Sequence, residues 1–583
     1  MKKTFLSLLV AILPLVATAQ RPMNLSVDSA GTLAKQIADS VKFKISELKV
    51  SGPLNGTDLK LIQQIVNRTS VKKKSNECLV ETVDLSEARI VEGKDGMRTQ
   101  ANTLPSGMFS GAKSLTKAIL PDNILNVSSS CFDNCEALTE VTIPETVTII
   151  ENNAFSDCTS LSEISLPSNL AKIGNDVFEG CTQLTSIDIP ETVTEMGDNV
   201  FEGCTALGKV NIQGKISRVG TSAFKGCTAL SEVSLPESMK VLGSNAFREC
   251  SSLREIALSD EMDEIGNSAF EDCKQLESIE VSAVGKLGSN AFENCNSLDT
   301  LELEKINKLG NGAFKNCISL KKVSLLGDFT ELGSNMFTGC TNLSDVTIAS
   351  GVKQIGSSAF EGCQHLQNIE LPKSLTKLGD DAFKDCTSLR TVTIPKQVKS
   401  MESSAFENCT SLDSVVIEGF VPEIEKNTFR SCHSLRFISL PVSVKKIGSH
   451  AFDGCAALRS ITLPITLTSI GDDAFAKCVS LSQVVVPAAV TEIGDDAFSE
   501  CSSLESVELP VSLKKIGGGA FEKCVSLRNV TLNSPNPPSI SKSTFKDVVL
   551  GSCKFTIPRG CKPLYQNEKQ KQWVKIPQLV ERL

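Results

Sequence analysis

Residues 154–177 read Ala-Phe-Ser-Asp-Cys-Thr-Ser-Leu-Ser-Glu-Ile-Ser-Leu-Pro-Ser-Asn-Leu-Ala-Lys-Ile-Gly-Asn-Asp-Val, one copy of a unit that recurs through most of the 583-residue chain. Phe marks each copy: twenty Phe residues follow one another 23 residues apart, except for two steps of 22 and a last step of 24. The series consists of Phe109, Phe132, Phe155, Phe178, Phe201, Phe224, Phe247, Phe270, Phe292, Phe314, Phe337, Phe360, Phe383, Phe406, Phe429, Phe452, Phe475, Phe498, Phe521 and Phe545. A self-similar period of this length predicts a solenoid, in which each coil buries its apolar side against its neighbours.

Each copy contains the pattern of a short strand followed by a turn. Ile164 and Leu166 lie two residues apart and therefore share one face of a strand. Pro167 should end that strand, because proline has no N–H to donate to a neighbouring strand. Residues 170–173 then turn the chain along the opposite side of the coil, and Gly174 fits a position that requires unusual backbone dihedrals.

Cys follows the repeat Phe by three residues in eighteen copies, from Cys135 to Cys524. Two interpretations stay open: disulfides between stacked coils, or a column of small buried thiols. Equivalent side chains of stacked coils point the same way, inward, which favours unpaired thiols. No Cys-x-x-Cys occurs, so the sequence offers no zinc motif, and we expect no metal and no cofactor. The residues chosen to represent the expected Phe and Cys core are Phe155, Phe178, Phe360, Cys158, Cys181 and Cys363.

The unit resembles the bacterial BspA-like, or type 5, leucine-rich repeat family of Bacteroidales type. The residues that carry the resemblance are Leu-x-x-Ile-x-Leu-Pro followed by Ile-Gly-x-x-Ala-Phe-x-x-Cys, with Ile-Gly-Asp-Asp-Ala-Phe at both 470–475 and 493–498. The resemblance covers roughly residues 100–550. It implies a right-handed leucine-rich-repeat β-solenoid, mostly strands and turns, with a parallel sheet on its concave side. It also implies a secreted or surface-exposed protein, since members are linked to adhesion to host matrix proteins or other bacteria.

The first 19 residues predict a secretory signal peptide. Lys2 and Lys3 precede the apolar residues 5–16, which are too few to span a bilayer, and Ala17-Thr18-Ala19 matches a small-x-small cleavage site. We therefore expect an exported protein, without membrane insertion, whose mature chain begins at Gln20. Its destination is the cell surface or the medium, with the periplasm as an alternative.

The rest of the chain is expected to form a repeat array with a cap at each end. Residues 20–100 should form a partly helical N-terminal cap, with helices at Leu33–Leu48 and around residues 59–66, and a strand at 79–85. Residues 101–549 hold the array of about twenty repeats, and residues 550–583 form the C-terminal cap. Both caps look similar to those of Bacteroidales relatives. Cys553 and Cys561 flank a strand-like segment of the second cap and are a candidate disulfide.

The outward positions of the repeat strand, one, two and four residues after the repeat Leu, supply the candidate ligand-binding residues. An acidic group occurs where the repeats shorten to 22 residues and lose the strand-ending Pro: Glu277, Glu280, Asp299, Glu302 and Glu304. A basic group follows further along, with one outward aromatic residue beside it: Arg390, Arg436, Arg459, Arg528 and Phe437. This change of charge either orients a ligand or only keeps a long sheet soluble, and both interpretations stay open.

The sequence favours a non-catalytic protein. No Ser/His/Asp or Cys/His pattern recurs around the three His residues, and near-identical coils supply no unique constellation of catalytic groups. A net charge of −9, with one Trp and one Tyr, argues against a nucleic-acid partner. We expect an adhesin-like binding protein that holds a host or bacterial-surface protein or glycoprotein. The alternative is a glycan-capture or envelope-associated structural protein.

Overall fold

The computed structural model describes residues 21–68 and 79–582, and the predicted signal peptide lies outside these residues. The chain divides into two compact units, residues 1–216 and 217–583. Both are built of parallel strands that follow one another in coils, so the predicted leucine-rich-repeat solenoid is confirmed. The division falls within the predicted repeat array.

Each repeat builds one coil, and most coils contain two strands and a turn that carries the Phe. In the coil that starts at Phe178, the first strand is Ser186–Ile189. Pro190 ends it, and the two-residue second strand Glu195–Met196 follows on the other side of the coil. Strands of successive coils pair in parallel, with Ser186 opposite Lys209, so the register advances by one whole repeat per coil.

In the first unit, the first strands and the strands of the N-terminal cap are Arg21–Ser26, Ile45–Leu54, Thr82–Asp84, Ala88–Ile90, Lys117–Ile119, Glu140–Thr142, Ser186–Ile189 and Lys209–Ile212. The second strands are Asn126–Val127, Ile149–Ile150, Lys172–Ile173 and Glu195–Met196. Among the described residues of this unit, the helical segments are a 3₁₀ turn, Leu33–Lys35, and one α-helix, Gly56–Val66.

In the second unit, the first strands and the strands of the C-terminal cap are Glu232–Ser234, Glu255–Ala257, Ser278–Glu280, Thr300–Ile306, Lys322–Gly327, Asp345–Ile348, Thr391–Ile394, Ser414–Ile417, Phe437–Ser439, Gln483–Val485, Ser506–Leu509, Asn529–Leu532, Lys554–Ile557 and Leu579–Glu581. The second strands are Arg218–Val219, Val241–Leu242, Glu261–Ile265, Ala283–Leu287, Lys308–Leu309, Glu331–Leu332, Gln354–Ile355, Lys377–Leu378, Ser400–Met401, Glu423–Ile424, Lys446–Ile447, Ser469–Ile470, Glu492–Ile493 and Lys515–Ile516. The helical segments are Leu550–Ser552, Lys562–Tyr565 and Trp573–Lys575.

The turn around each repeat Phe from Phe109 to Phe521 has two residues in the left-handed region. Around Phe178 these are Asp176, with φ of 57°, and Gly180, with φ of 70°. Asn, Asp and Gly tolerate this region best, which explains why they recur two residues before and after the Phe.

Gly174 is required for a different reason than the sequence predicted, since its φ is not positive. A Cβ at this position would lie 2.5 Å from Oδ1 and 2.7 Å from the backbone nitrogen of Asn152 in the preceding coil. No side chain fits at that distance, so Gly is needed here for the close approach of two coils rather than for its dihedrals.

The Phe and Cys residues stack as two columns inside the coils. Phe155 and Phe178 lie 5.6 Å apart between ring centroids, with planes only 6° from parallel. Cys181 donates its S–H to the carbonyl oxygen of Phe155 at 3.2 Å, a bond between neighbouring coils that recurs along the column. The six representative residues of the predicted core are fully buried. Burial raises the pKa of the Cys181 thiol well above its ordinary value, and Cys181 is a free thiol.

The helix predicted over Leu33–Leu48 is wrong. Only Leu33–Lys35 forms a 3₁₀ turn, and Ile45–Leu54 is a strand that pairs with Arg21–Ser26 on one side and Thr82–Asp84 on the other. The apolar spacing fits a helix up to residue 48, but buried and less buried residues alternate from there on, as they do in a strand. The helix Gly56–Val66 and a strand within 79–85 are confirmed.

Asp58 connects two loops of the N-terminal cap to the start of its helix. Its carboxylate is buried and accepts hydrogen bonds from the backbone N–H groups of Gly31 at 2.6 Å and Leu33 at 3.0 Å. It also accepts the N–H of Asn55 at 3.1 Å, which completes a capping box at the start of the helix. One side chain thus holds two loops and a helix end together.

The C-terminal cap does not form the candidate disulfide, because Cys553 and Cys561 are both buried free thiols. The extended strand Lys554–Ile557 carries the chain about 13 Å from Cys553 to its far end. A turn there, with the Cys561 N–H bonded to the Pro558 carbonyl, keeps Cys561 at that far end. A disulfide needs Cα atoms within about 7 Å of each other, so the strand separates the two thiols.

Candidate functional site

The candidate binding surface is the sheet face, defined as the outward side chains of the first strands in the second unit. In the strand Phe437–Ser439, Phe437 and Ser439 are exposed and Ile438 between them is buried. This alternation is the ordinary consequence of strand geometry when one side of a sheet covers a core.

The acidic part of the sheet face is largely compensated by cations of neighbouring coils. Three of the five predicted acidic residues form ion pairs: Glu277 with Arg254 at 2.8 Å, Asp299 with Lys321 at 2.7 Å, and Glu302 with Lys322 at 2.7 Å. Glu280 and Glu304 have no ion-pair partner among the residues that the structure describes. The structure therefore places all five acidic residues on this part of the second unit but leaves only two of them uncompensated.

Loss of the strand-ending Pro changes the backbone in the same coils. The strand Thr300–Ile306 continues past the position at which other coils turn. It pairs with Lys322–Gly327 of the next coil, and its residue Glu304 pairs with Ala283 of the second strand Ala283–Leu287 in the preceding coil. A depression of about 360 Å³ lies where this strand and Ser278–Glu280 diverge, and Glu280 and Glu302 line it.

The basic part of the sheet face surrounds an exposed aromatic ring. Phe437 is 56% exposed, whereas the Phe residues of the repeat series are buried. Its neighbour Arg436 pairs with Asp413 at 3.3 Å between Nε and Oδ1, a partner that the sequence prediction overlooked. Arg390 and Arg459 have no ion-pair partner within the described ranges 21–68 and 79–582.

Phe437 lies on the last strand of its sheet. Thr391–Ile394, Ser414–Ile417 and Phe437–Ser439 form a three-stranded sheet that ends at Phe437–Ser439. Residues 459–463 of the next coil run beside this strand without forming a strand themselves. The next coil therefore covers the edge, and the outward side chains are the surface left for a ligand.

Sequence reasoning missed a group of apolar side chains on the turn after the first strand. Val442 is 74%, Ile465 82% and Val511 59% exposed, and Ala488 is exposed at the equivalent position of the coil between the last two. We call these four residues the apolar row. Each directly follows a strand-ending Pro, and the signal was present in the sequence as a 23-residue column of apolar residues.

The first unit has a separate polar depression of about 1010 Å³ over its first strands, lined mainly by hydroxyl and carboxylate side chains. Ser165 and Asp188 belong to this lining, together with residues 139–143. Residues 161–166 form no strand here, so the sheet is interrupted beneath the depression.

Across residues 21–68 and 79–582, no group of three or more His, Cys, Asp and Glu side chains is placed to hold a metal ion. Within the same ranges, no helix has the length and apolar character needed to cross a membrane.

The stacked coils, each with one repeat Leu and joined by parallel strands, define a leucine-rich repeat protein. The chain matches the family model of the BspA type leucine-rich repeat region over residues 102–231, 218–344, 330–441 and 422–551. These matches cover most of the chain, and the protein belongs to this family. No match was found among curated proteins.

Solved structures with similarity to the chain include a leucine-rich repeat protein from Bacteroides ovatus, 24% identical over 80% of this chain and 89% of that one, with a TM-score of 0.30. A leucine rich cell surface protein from Faecalibacterium prausnitzii is 23% identical over 66% of this chain and 89% of that one, with a TM-score of 0.28. The T. pallidum leucine rich repeat protein is 32% identical over 28% of this chain and 72% of that one, with a TM-score of 0.25.

Proposed function

We propose that this chain is an exported, non-catalytic, adhesin-like protein that holds a host or bacterial-surface protein or glycoprotein on its sheet face, with Phe437 as the anchor. The observation that carries the proposal is the exposure of Phe437, at 56%, on a sheet face whose other outward positions are polar or aliphatic. Aromatic and Arg side chains supply most of the binding energy in protein interfaces, and here they are adjacent.

The surroundings of Phe437 support a protein ligand. Arg459 carries a positive charge without an ion-pair partner among the described residues, and Arg436 is 73% exposed despite its pairing with Asp413. An acidic segment of a partner would contact the ring and both guanidinium groups at once.

The repetition itself supports a non-catalytic role. Catalysis needs one constellation of groups that differs from its surroundings, and the coils repeat the same core and the same turn. Binding needs only a surface, which an array of coils supplies along its length.

Export is the second part of the proposal. We expect the protein in the medium or on the cell surface to begin at Gln20, because cleavage follows Ala19. N-terminal sequencing of the protein recovered from cell fractions tests this, and a chain that retains Lys2 and Lys3 in the cytoplasm contradicts it.

The binding test uses purified protein against a panel of immobilised matrix glycoproteins and whole bacterial cells. Arg436→Glu and Phe437→Ser should each weaken binding to a panel member about tenfold or more, because both lie at the proposed centre. Arg254→Glu is the matched control: Arg254 occupies the same strand position and pairs with Glu277 as Arg436 pairs with Asp413. Equal loss in the Arg254→Glu variant, or none in the Phe437→Ser variant, contradicts the proposal.

Glycan capture is a second candidate function, favoured by the polar depression of the first unit. Hydroxyl and carboxylate groups around a volume of about 1010 Å³ suit a sugar's hydroxyls. A glycan array with Asp188→Ala as the variant tests it: binding that Asp188→Ala abolishes and Phe437→Ser leaves intact would assign the ligand to this depression.

A further inference from the structure

We propose that the apolar row of the second unit docks an amphipathic α-helix of a partner protein, with acidic residues beside the apolar stripe of that helix. The row lies on the turn after the first strand, so this interaction is separate from the sheet-face binding proposed above and does not depend on it.

The exposure of the row sets it apart from equivalent turns. The residue after the strand-ending Pro is Glu237, Lys373 or Lys396 in other coils of the same unit. The row replaces these charges by Val442, Ile465, Ala488 and Val511 in four successive coils. In the preceding coil Phe420, 70% exposed, lies one residue further along its turn and extends the apolar surface. A continuous exposed apolar surface of this kind marks an interaction site.

The spacing of the coils favours a helix as the occupant. The repeat Phe rings of these coils stack at 5.5, 5.1 and 5.2 Å between centroids, so successive coils, and with them the residues of the row, advance by about 5 Å. An α-helix advances about 5.4 Å per turn, so a helix lying along the row presents one apolar residue to each coil. An extended strand presents same-side residues about 6.7 Å apart and falls out of step within three coils.

The charges beside the row favour an acidic partner. Lys445 and Lys446 follow Val442, and Lys514 and Lys515 follow Val511, all four exposed. The equivalent positions of the two coils between them hold Thr468 and Ser469, then Thr491 and Glu492. Lys446 also pairs with Glu423 of the preceding coil at 3.9 Å, so four cations face two carboxylates along this border. Acidic residues flanking the apolar stripe of a helix would meet the lysines.

The size of the row argues against a second copy of this chain. A standard interface buries about 800 Å² on each partner, and five side chains of which one is Phe cover roughly half of that. A single short helix needs no more than this, whereas a stable dimer does.

The test measures binding of synthetic helical peptides of about 18 residues to the full chain by fluorescence anisotropy. The panel carries one Leu or Ile per turn with Glu on both sides of the stripe, and its controls carry the same residues in shuffled order or Lys in place of Glu. We expect the Glu-flanked peptides to bind, the shuffled peptides not to bind, and the Lys-flanked peptides to bind more weakly at low salt.

Ile465→Glu should lower the affinity of the Glu-flanked peptides about tenfold or more, because it places a carboxylate in the centre of the row. Lys373→Glu, which introduces the same side chain at the same turn position outside the row, should leave the affinity unchanged. Ile465 is 82% exposed, so thermal unfolding should not change, and that measurement excludes a folding defect. Phe437→Ser should leave peptide binding intact, which separates this inference from the proposed function.

Three results would overturn the inference. The first is no binding of any Glu-flanked peptide, and the second is equal binding of the shuffled peptides or of the Ile465→Glu variant. The third is a dimer in sedimentation experiments, or binding to lipid vesicles, that is lost in the Ile465→Glu variant. A dimer would assign the row to a second copy of the chain, and vesicle binding would assign it to a lipid surface.

Discussion

The coils that start at Phe270 and Phe292 differ from those that start at Phe429 and Phe452 in one residue of length and one Pro. Their cores are the same: the Phe rings stack at 5.3 and 5.5 Å in the first pair and at 5.5 and 5.1 Å in the second. Outside the core they diverge. The shorter coils continue a strand through Thr300–Ile306, whereas the longer ones turn at a Pro and expose Val442 and Ile465.

This comparison shows which part of the repeat is free to vary. The Phe and Cys columns fix the stacking of the coils, so the strand face and the turn after it can change without loss of the fold. In the short coils these variable positions form ion pairs such as Glu302 with Lys322. In the long coils they hold exposed aromatic and aliphatic side chains.

The largest expected effect concerns thiol reactivity, which should be equally low in both kinds of coil. Burial raises the pKa of Cys295 in a short coil and of Cys455 in a long coil well above the ordinary value of a thiol. Because only the thiolate reacts, alkylation of the native chain near pH 8 should be about a thousandfold slower than in denaturant, and it should quicken as pH rises toward the folded pKa. Mass spectrometry of the labelled peptides measures both sites, and rapid native labelling of either one contradicts a common buried core.

Phe292→Ala and Phe452→Ala should each cost about 3–5 kcal/mol, because each leaves a cavity between two stacked rings. Urea unfolding with hydrogen exchange to locate the opened coils checks this. The two losses should agree; a clear difference would mean that the short and long coils do not share one core.

The turn itself is tested by exchanging Pro between the two kinds of coil. Glu304→Pro removes the N–H that donates to the Ser282 carbonyl at 3.0 Å in the continuous strand, and should cost about 1–3 kcal/mol. Pro464→Ala should cost only about 0.5–1 kcal/mol, since the turn at that position donates no such bond. Equal costs would show that the missing Pro does not distinguish the coils.

The ion pairs should contribute least. Lys322 and Glu302 keep 46% and 63% of their side-chain surface exposed, so Lys322→Ala should leave the urea midpoint of unfolding nearly unchanged. A double-mutant cycle with Glu302→Ala measures the coupling, which should be small and should fall further in high salt. A coupling as large as the loss from Phe292→Ala would mean that these pairs, rather than the core, hold the short coils together.

The sequence predicted the parts of the fold that repeat, because periodicity reports which side chains are buried. It placed Phe155 and Cys158 in the core and located the coils without Pro. It failed at the Leu33–Leu48 segment, where one apolar spacing fits both a helix and a strand until pairing with neighbouring strands decides between them.

The candidate site was predicted less completely. Phe437 was found because an aromatic residue at an outward strand position is unusual, whereas the pairing of Arg436 with Asp413 depends on two side chains reaching between coils. Val442 and Ile465 were not predicted because they lie on the turn after the strand, and strand alternation says nothing about the exposure of turn residues.

The most direct test of the binding account is hydroxyl-radical footprinting of the protein with and without the panel member that it binds most tightly. The readout compares Phe437, 56% exposed in a long coil, with Leu326, 38% exposed in the coil that follows the two short ones. The account predicts that the ligand lowers oxidation of Phe437 and leaves that of Leu326 unchanged. Protection of Leu326 with no change at Phe437 would contradict it.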